Sequence, residues 1–112
     1  ISMTEEERDM FLKAEPAMAA FTIPANTYED QPEAIETVSL WNFAIVHESV
    51  PDSLVYEVTK LAMEEHERML QGHKAAAETL PEHFDKNTFM PFHPGAAKWF
   101  AENGYEIADE LK

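Results

Sequence analysis

At 112 residues the chain has room for one domain or part of one, and with 45% apolar and 11% aromatic residues it lies outside the compositions that stay disordered. Its 22 acidic against 8 basic side chains leave a formal charge of −14, which repels phosphate backbones and anionic lipid and excludes nucleic acid as a partner. No cysteine is present, so disulfide scaffolds, thiolate zinc sites and cysteine nucleophiles are excluded, and no apolar run approaches the ~18 residues of a membrane-spanning helix.

The opening Ile1-Ser2-Met3 has neither the charged nor the apolar region of a signal peptide, so the chain is expected to continue a longer protein. Thr4 followed by Glu7 has capping-box spacing and predicts a helix that ends near Glu15, because Pro16 removes a donor and disfavours helix at the residue before it. Phe21-Thr22-Ile23 is β-prone and is stopped by Pro24, and residues 26–32 form a polar, turn-rich loop suited to binding.

From Thr37 to Val46 apolar residues occupy both parities, Val38, Leu40, Ala44 and Val46 on one and Trp41, Phe43 and Ile45 on the other. This pattern predicts a strand buried on both faces, central in a sheet with helices above and below. Only one other convincing strand is present to pair with it, which points to a fragment of a larger fold. Helical spacing of Leu54, Val55, Val58, Leu61, Ala62, Met69 and Leu70 predicts one long helix from Pro51 to Gly72. A further helical stretch covers 74–79 and ends before Pro81, residues 84–92 are irregular, and a last helix opens at Pro94 and closes at Gly104.

The candidate chemistry is sparse. His66 and His73 share a helix face, with Glu65 and Glu67 nearby, but metal-ligand pairs are normally i, i+4, and solvated helix histidines account for them more simply. The methionines, Met63 and Met69 among them, fall where helix packing places adaptable apolar side chains. Acidic pairs such as Glu29-Asp30 and Glu64-Glu65 arise from composition alone. There is no phosphate loop, nucleophile elbow or HExxH motif, so no enzyme activity, metal or cofactor is expected.

The segment His93-Pro94-Gly95-Ala96 combines a cap position, a proline at the first helical residue and a glycine that permits close backbone approach. With Trp99-Phe100 and Asn103-Gly104 it resembles the C-terminal signature of TAXI-type solute-binding proteins of tripartite ATP-independent periplasmic (TRAP) transporters. Thr37-Val38 and the run from Pro51 through Leu54-Val55-Tyr56-Glu57 match that family's upstream motifs in order, so the resemblance spans about residues 21–104.

The resemblance implies an α/β chain: the C-terminal fragment of a type II periplasmic-binding-protein fold, mostly helical, with one long central strand and one or two short ones. Residues 1–36 would belong to the lobe preceding the crossing strand, and residues 37–112 would supply that strand and the C-terminal helices, together a single partial domain. The implied function is reception of a small, usually anionic solute such as a dicarboxylate or amino acid. The receptor would act outside the cytoplasm, in the periplasm, and deliver the solute to membrane subunits for ion-coupled uptake. In that setting the strand and its preceding loop border the interlobe cleft, which makes Tyr28, Gln31, Thr37, Ser39 and Asn42 the candidate ligand contacts through their hydroxyl and amide groups. Turn capping or an ordinary place on the sheet surface is the competing role for each. A fragment exposing apolar strand faces is expected to self-associate. The alternative is a stand-alone acidic helical interaction module with no ligand cleft.

Overall fold

The computed structural model describes residues 2–112, which divide into two compact units, 2–43 and 44–112. In the first unit, α1 (Glu5–Ala14) begins at a complete capping box. The Thr4 hydroxyl accepts from the Glu7 N–H at 3.2 Å, and the Glu7 carboxylate accepts from the Thr4 N–H at 2.9 Å. These bonds from Thr4, the backbone one first, hold the Glu7 carboxyl below its ordinary value of 4.5. Its contribution is therefore present above that pH and is lost as acid protonates it in the folded state. Thr4→Ala is expected to cost about 1 kcal/mol of helix stability. An NMR titration should then show the Glu7 carboxyl moving only part of the way back, because alanine keeps the backbone N–H that is the larger cause of the lowering.

After α1, β1 (Ala19–Ile23) and β2 (Ile35–Ser39) pair antiparallel, with Phe21 opposite Thr37 and Ile23 opposite Ile35. Opposed residues share a face, so Ala19, Phe21, Ile23, Ile35, Thr37 and Ser39 line one side, and the Trp41 ring meets Phe21 edge-on at 6.3 Å. On the other side Glu36 accepts from Arg8 of α1 at 2.6 Å and from the Thr22 hydroxyl at 2.9 Å, joining helix and hairpin.

The expected central strand from Thr37 to Val46 is corrected here: β2 ends at Ser39, and Leu40, Ile45 and Val46 are 59%, 78% and 45% exposed. β1 begins opposite Ser39 at Ala19, and the preceding Met18 N–H donates to Glu15 O, spent on the turn out of α1. The observed sheet is therefore a two-stranded hairpin in a mostly helical chain.

In the second unit the expected long helix is two, α2 (Asp52–Glu64) and α3 (His66–Gly72), broken at Glu65. Glu64 and Glu65 stand at the C-terminal end of α2, where the helix dipole disfavours carboxylates and the last turn holds no basic residue. Short 3-10 helices follow at Lys74–Glu78 and Pro81–Lys86, so the irregular stretch expected over 84–92 begins with a turn of helix. The last helix, α4 (Pro94–Glu102), closes as expected, with Gly104 at φ 84°, the left-handed region that favours glycine.

α4 crosses α2 and supplies the core, in which Trp99, Phe100 and Ile107 are buried with Tyr56, Met63, Phe84, Phe92, Tyr105 and Leu111 packed around them. The Trp99 indole N–H donates to Glu64 at 3.3 Å, and the Tyr56 hydroxyl donates to Glu102 at 2.7 Å. Lys98 lies 5.4 Å from the Tyr56 ring centre, adding a cation over its face. Carboxylate pairing raises the Tyr56 hydroxyl above its ordinary value, chiefly through the hydrogen bond to Glu102.

Candidate functional site

Tyr28 and Gln31 sit together in the hairpin loop. The Gln31 side-chain oxygen accepts from the Tyr28 N–H at 3.1 Å, and its amide nitrogen donates to Pro24 O at 3.0 Å and Glu33 O at 2.8 Å. Both amide protons of Gln31 are thereby committed to holding the loop. Asn26 and Asp30, at φ 62° and 60°, supply the left-handed turns that bring the loop back. Tyr28 is 64% exposed and presents its ring and hydroxyl at the loop surface.

Thr37 lies mid-strand beside Phe21, half-buried, and Ser39 ends β2 with its hydroxyl 3.5 Å from Leu40 O. Asn42 is exposed in the extended segment beyond. The loop joins the Ile23 and Ile35 end of the hairpin, whereas Ser39 lies at the other end, roughly 14 Å away at about 3.4 Å per strand residue, with Asn42 beyond it. The structure thus brings Tyr28 and Gln31 together and leaves Ser39 and Asn42 at the far end, with Thr37 between on the strand face. The Thr37 and Ser39 hydroxyls on one strand face, with the Asn42 amide beyond the strand, are groups that can hydrogen-bond a polar solute without burying a formal charge. The broad hollow along α1, bounded by Thr4, Glu6, Asp9 and Lys13, is an open helix face beside none of these groups.

The His93-Pro94-Gly95-Ala96 segment lies in the second unit and is built as a helix entry. The His93 ring, 6% exposed, caps α4 through Nδ1, which accepts from the Gly95 N–H at 3.2 Å. With Nδ1 accepting, the proton of the neutral ring sits on Nε2, which is buried without a partner among the described residues. The Asp52 carboxylate lies 3.9 Å from Nδ1. Gly95 packs against the first turn of α2, where a Cβ would overlap the Asp52 carbonyl oxygen and lie 2.9 Å from Tyr56 N.

This geometry gives His93 two opposing contributions: a stabilising cap and a buried donor left unpaired. His93→Ala is expected to cost about 1 kcal/mol through the lost cap, while His93→Asn, whose side-chain oxygen still accepts at the N-cap, should cost less. Urea midpoints of the two variants order them directly.

Of the histidines weighed as metal ligands, His73 is committed to a cap, its Nδ1 accepting from the Ala75 N–H at 3.0 Å. His66 opens α3 with Nδ1 buried and unpartnered among the described residues. Sequence reasoning passed over Arg8 and Glu36, which fasten α1 to the hairpin. Their opposite charges lie 28 residues apart, and only the β-pairing reveals the contact.

A family model described as the NMT1-like family matches residues 1–104. No curated protein matches the chain.

Proposed function

Since this chain belongs to the NMT1-like family, whose members are periplasmic-binding-protein-like solute binders, we propose that it is the receptor component of an ion-coupled tripartite uptake transporter of the TAXI type. It acts outside the cytoplasm, holds a small anionic solute such as a dicarboxylate or amino acid without chemical change, and passes it to membrane subunits. It is not an enzyme. The observation that carries this reading is the family match across residues 1–104 of 112. The compact unit formed by the His93 cap, the buried Trp99-Phe100 pair and the Gly104 turn supports the TAXI assignment.

A panel of dicarboxylates and amino acids tested by thermal shift addresses the proposal, because a ligand at one hundred times its dissociation constant stabilises the folded state by about 2.7 kcal/mol. We expect members of the anionic class to raise the melting temperature in a saturable way. A panel without any saturable shift contradicts the receptor reading.

A second reading, an acidic helical module that binds protein, is favoured by α2, where Leu54, Val58 and Leu61 recur at i, i+4 and i+7 and are 54%, 58% and 56% exposed. The same stripe supports self-association. Light scattering after size exclusion should give more than the 12.8 kDa of one chain, and Val58→Glu should restore that mass. A monomer at all concentrations contradicts self-association.

A further inference from the structure

In the second unit, a cavity of about 210 Å³ lies between the Pro81–Lys86 turn, Phe92 and the chain from Glu106 to Leu111. We propose that this cavity binds a small organic cation with a compact apolar body, an alkyl- or arylammonium ion. The site is separate from the hairpin residues offered above for the solute, and it stands whether or not the transport reading does.

The walls are apolar and fixed. Phe84, Phe92, Ile107 and Leu111 supply them, and the Phe92 N–H donates to Leu111 O at 2.7 Å, tying one wall to another. Phe84 packs against Phe100 at 5.9 Å and edge-on to Tyr105 at 5.4 Å, while Phe92 meets Phe100 edge-on at 5.6 Å. Rings held by so many neighbours lose little further freedom when a ligand arrives. A cavity of about 150 Å³ suffices for benzene, so a single ring or a branched alkyl group fits the volume.

The polar groups at the cavity select the charge. Asn87 lines it with one amide proton donated to Met90 O at 2.7 Å and its oxygen accepting from the Met90 N–H at 3.0 Å. The charged groups that line it are the carboxylates of Asp85 and Glu106, with no basic side chain among the lining residues. Asp85 has Lys86 at 3.5 Å in an exposed pair, the kind worth at most about 1 kcal/mol and open to competition. The nearby Lys112 is held by Asp109 at 2.6 Å, leaving Glu106 outside any direct ion pair among the described residues. An ammonium group beside two carboxylates and aromatic rings is attracted by both, whereas an anion there meets the repulsion of both carboxylates.

Benzylammonium, benzyl alcohol and benzoate, titrated separately into the 112-residue chain and followed by amide shifts, test the proposal. Benzylammonium should bind saturably and move the amides of residues 84–87, 92 and 106–111. Benzyl alcohol should bind at least about fivefold more weakly, and the Asp85→Asn, Glu106→Gln pair should weaken benzylammonium by a similar factor, roughly the 1 kcal/mol of charge recognition. Both substitutions are at exposed carboxylates, so folding is not at stake. Equal affinity for the alcohol, an unchanged affinity in the double variant, tighter binding of benzoate, shifts confined to other residues, or no saturable binding would each overturn it.

Discussion

Gly95→Ala is expected to destabilise the second unit by about 3 kcal/mol or more, at or beyond the upper end of ordinary overpacking. The added methyl would meet the Asp52 carbonyl oxygen and Tyr56 N, both backbone atoms of α2 that have no rotamer by which to move aside. Relief requires α4 to lift from α2. That would pull Trp99 and Phe100 from the core and break the bonds to Glu64 and Glu102. Gly72→Ala is the control: a Cβ there meets nothing within 4 Å, and the residue ends α3 at ordinary backbone angles. It should be neutral or stabilising by up to about 1 kcal/mol, since alanine loses less backbone freedom on folding. Urea unfolding followed by Trp99 fluorescence in a Trp41→Phe background separates the two. A Gly95→Ala midpoint equal to the parent's would contradict the close approach.

Phe100→Ala should cost about 3 to 5 kcal/mol, the range for removing a buried aromatic ring. Phe100 is 5% exposed and contacts four rings, Trp99 at 5.2 Å, Phe92 at 5.6 Å, Phe84 at 5.9 Å and Tyr105 at 6.0 Å. Its loss leaves a void between α4, the Pro81–Lys86 turn and the chain beyond Gly104. These segments lack long helices or ladders of their own and hold their places by packing on this ring. Small domains have only about 5 to 15 kcal/mol in all, so the variant is expected to lose its cooperative transition in the second unit. Phe89→Ala, at a ring 43% exposed, should change little by comparison. A Phe100→Ala cost below about 1.5 kcal/mol would place the ring outside the core.

What the sequence made legible is what neighbouring residues decide. The Thr4 and Glu7 capping box, the stop before Pro16, the His93 and Pro94 entry to α4 and the Gly104 turn each depend on groups a few residues apart, and each stands where those residues put it. The extent of β2 depends instead on a partner. Residues 40–46 have the composition of a buried strand, but β1 reaches back only to Ala19, so β2 stops at Ser39. The helical pattern of α2 and α3 ran through Glu65 because apolar spacing carries no record of carboxylates piling up at a helix end. Among the candidate site residues, the loop position of Tyr28 and Gln31 was legible from Asn, Pro and Asp content. That Gln31 spends both amide protons on the loop, and that Ser39 lies at the opposite end of the hairpin, follows only from the register. The cavity beside Phe84 had no sequence signal, since its walls come from three segments without a shared period.

The most direct measurement on the receptor proposal is calorimetric titration of the complete parent protein with succinate and with L-glutamate, repeated on Thr37→Ala, Ser39→Ala and Asn42→Ala. The account predicts saturable binding of at least one of the two, weakened several-fold or more by each substitution, because a hydrogen bond to a charged ligand is worth about 1.5 to 3 kcal/mol. Absence of binding to both solutes, or an affinity unchanged in all three variants, would contradict it.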